Sequence, residues 1–132
     1  IYKEYTSLIE PISLDEAYLD VTHVTLCSSS ASLMAKEIRE KIFSHLHLTA
    51  SAGVSYNKFL AKLGSDQNKP DGQFIIKPGE AEHYLHDLPI GRFYGVGKVT
   101  EARMKYFGIN RGGDLREKSL FELQNIVGNS AD

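Results

Sequence analysis

Ile12-Ser13-Leu14-Asp15-Glu16-Ala17-Tyr18-Leu19-Asp20 is the stretch on which the fold turns. From Ala17 onward the side chains alternate. Ala17, Leu19 and Val21 fall on one side, and Tyr18, Asp20 and Thr22 on the other. That is the two-residue period of a half-buried β-strand. The run Tyr5 to Ile12 is also strand-like, and Pro11 suits its edge or end. Ser13 to Glu16 is therefore expected to be the bend of an antiparallel hairpin. Neighbours within a strand point to opposite faces and cannot share a ligand, but at a bend they can. Asp15 and Glu16 are then candidate ligands for Mg²⁺, which takes hard oxygen donors at about 2.0–2.1 Å and keeps several waters. An Asp-Glu pair in a turn is more often only a solvated turn, so the assignment needs support from elsewhere in the chain.

Outward from the hairpin, Ser28-Ser29-Ser30 reads as a turn into a helix, with Ser30 or Ser32 as N-cap. Met34, Ile38, Ile42 and Leu46 recur every four residues among charged neighbours, the pattern of an amphipathic helix over one face of a sheet. Leu48 to Val54 predicts a short strand, and its Ala50, Ala52 and Gly53 imply that something packs closely on it. Asn57 can cap a helix reaching Ser65 or Asp66, with Phe59, Leu60 and Leu63 buried. Asn68-Lys69-Pro70-Asp71-Gly72 is a turn, and Gln73 to Lys77 a further strand. The order is β-β-α-β-α-β, an α+β sheet with helices on one face. After Pro78 the character changes. Glu80 to Asp87 is a polar helix, Leu88-Pro89 a boundary, and beyond it only short helices and Gly-rich turns are visible. Residues 1–77 and 78–132 are read as two subdomains.

The chain has 132 residues, 15 basic and 17 acidic, for a net charge of −2. The distribution says more than the sum. Lys3 stands alone against Glu4, Glu10, Asp15, Glu16 and Asp20 in the first part, whereas Arg92, Lys98, Arg103, Lys105, Arg111, Arg116 and Lys118 crowd a later one. A basic lobe fits a phosphate-bearing partner, although a charge run is more often a solvated face. Cys27 is the single cysteine, which excludes a disulfide within the chain and a cysteine zinc cluster. The pairs His45/His47 and His83/His86 have no third ligand in sight. Without a signal peptide or an 18-residue apolar run, a cytoplasmic protein is the default expectation.

Three blocks carry a resemblance. Ile9 to Thr22, IEPISLDEAYLDVT, is similar to the catalytic palm segment of Y-family translesion DNA polymerases. Ser51 to Gln73, SAGVSYNKFLAKLGSDQNKPDGQ, resembles the next palm segment, and Leu88 to Ile109, LPIGRFYGVGKVTEARMKYFGI, the thumb. Order and spacing resemble the bacterial DNA polymerase IV branch most. The resemblance implies a partial palm over residues 1–77, an antiparallel or mixed sheet with helices on one face, followed by a small all-helical thumb over 78–132. It implies nucleotidyl transfer from a dNTP to a primer 3′-OH by two Mg²⁺ ions, on primer–template DNA, in a bacterial cytoplasm. Asp15 would bridge both ions, and Glu16 would hold the one at the primer terminus. A third carboxylate would come from a preceding segment, and a sliding clamp would be contacted through a segment absent here. Ile1 to Tyr5 reads as the end of a helix. The chain is therefore expected to be a piece of a longer polymerase, inactive alone and prone to self-association through an unpaired sheet edge.

Lys69 is singled out by its rigid turn before Pro70, and the resemblance places such a lysine on the incoming triphosphate, where positive charge stabilises developing negative charge. Lys58 reads as solvated. Lys62 can pair with Asp66 at i,i+4. Asp20 reads as structural, hydrogen-bonded to nearby backbone. Gly95-Val96-Gly97 reads as a hairpin between two helical stretches, the second running from Lys98 to Phe107 with Val99, Ala102 and Tyr106 on one face and Gly108 as C-cap. The N–H groups of residues 96–98, at a helix N-terminus beside Lys98, Thr100 and Arg103, form a phosphate site. This resembles a helix-hairpin-helix, which grips DNA backbone without reading bases. Tyr56, Phe93 and Tyr94 are explained equally well by core packing. Two other readings stand beside the polymerase: a non-catalytic DNA-binding module using the hairpin, and a two-metal nuclease. Only the polymerase accounts for Lys69 in its turn.

Overall fold

The Asp15–Glu16 segment does form the bend of an antiparallel hairpin in the computed structural model, which describes residues 1–128. Strands β1 (Ile9–Pro11) and β2 (Ala17–Leu19) pair with Ile9 opposite Leu19, Glu10 opposite Tyr18 and Pro11 opposite Ala17. The N–H groups of Ile12 and Ser13 both donate to the Glu16 carbonyl, at 2.9 and 3.3 Å, and close the bend. Both strands are shorter than the alternation implied, and side chains are the cause. Thr6 Oγ1 donates to the Asp20 carbonyl at 2.7 Å and accepts the Leu8 N–H at 3.1 Å, while the Asp20 carboxylate accepts the Thr22 N–H at 3.0 Å. Such local bonds compete with a strand ladder and end it. Tyr5, expected in the strand, instead closes a 3₁₀ turn over Tyr2–Glu4 and is buried.

The chain divides into two compact units, Ile1–Ile76 and Lys77–Asp132. In the first, helix α1 (Ala31–Leu46) starts at Ser30, whose hydroxyl accepts the Leu33 N–H at 3.2 Å. Met34 and Ile38 are buried against Tyr5 with Leu19, Val21 and Ile42 around them, but Leu46, at the end of the stripe, is exposed. Fully burying side chains of this kind contributes about 1.5–3 kcal/mol each.

Strands β3 (Ala52–Val54) and β4 (Gln73–Ile75) pair parallel, and helix α2 (Lys58–Gln67) makes the crossover that parallel pairing requires. Asn57 caps α2 through the Leu60 N–H at 2.9 Å. Leu60 and Leu63 are buried, whereas Phe59 is partly exposed. What packs on β3 is α2 itself. A Cβ on Gly53 would lie 1.9 Å from the Ala61 carbonyl oxygen, and one on Gly64 would lie 3.2 Å from the Gly53 Cα. Arg39 of α1 ties the turn before β4 down. Its guanidinium donates to the Ala50 carbonyl at 2.9 Å, the Asp71 carbonyl at 2.9 Å and the Asp71 carboxylate at 3.1 Å.

The second unit is helical: α3 (Ala81–Asp87), α4 (Lys98–Tyr106), α5 (Gly112–Arg116) and α6 (Leu120–Val127). Its core is Ile90, Met104, Ile109 and Ile126, with Phe93, Val96, Leu115 and Leu123 packed around them. Leu88-Pro89 is not a boundary. The Gly112 N–H donates to the Leu88 carbonyl at 2.9 Å, and a Cβ on Gly112 would sit 1.8 Å from the Leu85 carbonyl oxygen. Helix α3 therefore packs closely against the start of α5 and belongs to this unit. Ser119 caps α6, reciprocated by Glu122.

Candidate functional site

At the tip of the first hairpin, Ser13 Oγ lies 3.1 Å from Asp15 Oδ1 and 3.1 Å from Glu16 Oε2. A hydroxyl carries one proton and so serves one carboxylate at a time. The bend thus gathers both carboxylates around one small side chain, which a regular strand could not do. Leu14, between Ser13 and Asp15, is wholly exposed.

Helix α2 meets this bend with a lysine. Lys62 is only 9% exposed, and its ammonium lies 2.5 Å from Glu16 Oε1 and 3.7 Å from Asp66 Oδ2. The hydrogen bonds from Lys62 and then Ser13 hold the Glu16 carboxyl below its usual range. Burial pulls the Lys62 ammonium down, but Glu16 and Asp66 outweigh it and leave the group above its ordinary value. Asp66 Oδ1 in turn lies 2.7 Å from Lys69 Nζ, and the charge of Lys69 is among those that lower Glu16. Asp15, Ser13, Glu16, Lys62, Asp66 and Lys69 thus form one continuous strip. The Lys69–Pro70 peptide is cis.

Lys58 is not simply solvated. It pairs with Glu10 and lies 5.8 Å from the centre of the Tyr18 ring. Asp20 faces Thr22, whose hydroxyl and N–H draw its carboxyl down. Among the described residues no group of three His, Cys, Asp or Glu side chains converges as a metal site. His83 and His86 both face Asp87.

In the second unit the segment before the hairpin is a three-residue 3₁₀ turn, Ile90–Arg92, and not an α-helix. Gly95 has φ +92, which its lack of a Cβ permits. Gly97 is the N-cap of α4 and provides no side-chain cap. The Val96 N–H does not point outward, since it donates to the Phe93 carbonyl at 3.1 Å. The phosphate site expected at residues 96–98 thereby loses the Val96 N–H. Arg103 Nε donates to the Ile126 carbonyl and ties α4 to α6, while Lys105 pairs with Glu101 at 3.1 Å. Val99 and Tyr106, at 84% and 85% exposure, face solvent, and Met104 is the residue α4 buries. Phe93 joins the core, whereas Tyr56 and Tyr94 are exposed.

A family model described as the impB/mucB/samB family matches residues 1–66, the part that holds the carboxylates, Lys62 and Asp66. This chain belongs to the impB/mucB/samB family. A second model, the IMS family HHH motif, matches residues 78–109, which include the hairpin and α4. This impB/mucB/samB-family chain is 55% identical over 130 residues to DNA polymerase IV 3 of Mesorhizobium japonicum, covering 98% of this chain and 36% of the relative. It is 54% identical over 128 residues to DNA polymerase IV of Escherichia coli O157:H7, with 97% and 36% covered. The chain thus spans about a third of the length of these relatives. Its fold matches the crystal structure of DinB from Sulfolobus solfataricus with a TM-score of 0.89 at 34% identity, over 97% of this chain and 38% of that one. An insertion ternary complex of Dbh DNA polymerase gives 0.86 at 34% identity, over 96% and 37%. The likeness to Y-family polymerases and the α+β class with a helix-hairpin-helix motif stand as the sequence implied.

Three members of the strip in this impB/mucB/samB-family chain escaped the sequence. Ser13 is legible only as a turn residue, because turn hydroxyls ordinarily bond nearby backbone, whereas here the hydroxyl meets two side-chain carboxylates. The i,i+4 spacing points Lys62 to Asp66, a contact the structure contains at 3.7 Å, but its nearer partner, Glu16, is long-range. Asp66 is legible as a partner of Lys62, but its i,i+3 contact with Lys69 depends on how the chain turns after α2 ends.

Proposed function

We propose that the protein containing this chain is a template-directed DNA polymerase of the translesion type, which transfers a nucleotidyl group from a dNTP to a primer 3′-OH. Residues 1–77 act as part of the palm, and residues 78–132 as a thumb that holds primer–template DNA. The observation that carries this reading is the strip itself: two carboxylates gathered by Ser13, with Lys62 on Glu16 and Asp66 linking Lys62 to Lys69.

Asp15 and Glu16 suit Mg²⁺. They are hard oxygen donors at an exposed bend, and Lys62 and Ser13 keep Glu16 ionised. They would hold the metal together with a carboxylate from elsewhere in the protein. When bound, a pair of such ions in polymerases clamps the attacking and leaving oxygens. The chain's own residues do the rest. Lys62 fixes Glu16 and offsets its charge. Lys69 binds the triphosphate and stabilises negative charge as it develops. Gly97, Lys98, Thr100 and Arg103, with Gly95 and Val96 shaping the turn, hold the DNA backbone from the second unit. A bacterial cytoplasm is the compartment this function implies, and a clamp contact would lie outside this chain.

The test is single-nucleotide incorporation by the full-length polymerase in Mg²⁺. Asp15→Ala should lower the rate about a hundredfold or more, the scale of losing one element of transition-state stabilisation, with primer–template affinity nearly unchanged. Incorporation at the wild-type rate would remove Asp15 from the centre. Mg²⁺-dependent cleavage of DNA would favour the nuclease, and DNA binding indifferent to both Mg²⁺ and dNTP the non-catalytic module.

A further inference from the structure

Asp66 sits between two lysines with different surroundings. Lys62 is buried and already engaged by Glu16 at 2.5 Å, with Asp66 at 3.7 Å. Lys69 has a half-exposed side chain and lies 2.7 Å from the other oxygen of the same carboxylate. We propose that Asp66 is a positioning residue that holds Lys69 in the resting site and yields it to the incoming triphosphate, and so sets how tightly the nucleotide binds before chemistry. This rests on the reading of Lys69 as the triphosphate contact.

The surroundings make the exchange workable. Lys69 can swing while its backbone stays, because Arg39 anchors the same turn through the carbonyl and carboxylate of Asp71. Its ammonium is a compact charge on a flexible stem, suited to changing partners. When Lys69 leaves, Asp66 is not stranded, since Lys62 remains on its other oxygen. A carboxylate that lost its only cation would resist the exchange, whereas one with a second cation behind it lowers that cost. The triphosphate must still compete with Asp66 for Lys69. An exposed ion pair of this kind shifts an equilibrium by about two- to fivefold, so the latch weakens resting nucleotide affinity by that factor.

The experiment is a double-mutant cycle in the full-length polymerase. On a dideoxy-terminated primer–template in Mg²⁺, the dNTP Kd is titrated at equilibrium for wild type, Asp66→Asn, Lys69→Ala and the double variant. Asp66→Asn should tighten binding about two- to fivefold at low salt, less at high salt, and should change nothing when Lys69 is already Ala. Asp66→Ser, which also removes the charge, should give the same tightening and guards against an effect peculiar to the amide. Weaker or unchanged binding in both Asp66 variants overturns the proposal. So does tightening that persists in the Lys69→Ala background, which would mark a general charge effect. If Lys69→Ala alone leaves the Kd untouched, the reading of Lys69 itself fails, and that result is separate from either of the others.

Discussion

Glu37 is the residue on which most of the local chemistry outside the site converges. Its two oxygens accept the Tyr5 hydroxyl at 2.7 Å and the Cys27 thiol at 3.0 Å, and Lys41 approaches to 3.4 Å. The hydrogen bonds from Cys27 and then Tyr5 hold the Glu37 carboxyl down. The bond to Glu37, then burial, pushes the Cys27 thiol up. A thiolate beside that carboxylate is disfavoured, so the lone cysteine should react slowly near neutral pH. Its alkylation rate should rise with pH through a midpoint above the ordinary value of about 8.5, and Glu37→Gln should lower that midpoint and speed the reaction at pH 8. A wild-type midpoint at or below 8.5 would contradict the hydrogen bond. The sign for stability follows. A thiol whose folded pKa is raised contributes fully below its unfolded pKa, and that contribution is lost as pH rises through the folded value.

At the scale of elements, α4 shows how a helix can be closed at one end and open at the other. Its C-terminus is closed by the chain that follows: Gly108, at φ +82, donates to the Lys105 carbonyl, and Ile109 donates to the Met104 carbonyl while packing beside it. Its N-terminus has no side-chain cap at Gly97, and a Cβ there would meet nothing within 4 Å. Gly97→Val should therefore leave the fold intact yet obstruct an approaching phosphate. We expect DNA binding by this chain to be blind to sequence, to fall with salt at a slope near −3 for about three phosphate contacts, and to weaken equally on all duplexes in that variant. Loss confined to some sequences would remove the hairpin from the DNA contact. Elements whose signals are local were legible in the sequence: the caps at Ser30 and Asn57, the bend at 13–16, and the glycine that stops α4. Signals that depend on partners far along the chain were not. Thr6 and Asp20 shorten strands by bonding across the hairpin, Glu16 claims Lys62 from 46 residues away, and the exposed side of α4 is set by Met104 and not by its own apolar stripe.

For the molecule as a whole, each described sheet has two strands, so every strand leaves one edge unpaired. Phe43, Leu46 and Leu48 stand exposed where α1 ends. Open edges and exposed apolar side chains each recruit further chains, while strands of three residues keep each pairing weak. Sedimentation of this chain should show a monomer when dilute and reversible association towards about 500 µM; a strict monomer throughout would argue that the edges are inert. The close approach of Gly53 and Gly64 has a mechanical meaning as well. With no side chain between strand and helix, α2 bears on β3 at a fulcrum. Lys62 and Asp66 flank that point on the helix itself, and Lys69 follows two residues past its end. A tilt of α2 about the glycines would move Lys62 and Asp66 in opposite senses, one on each side of the pivot, while Lys69, past the helix end, stayed with the turn that Arg39 anchors.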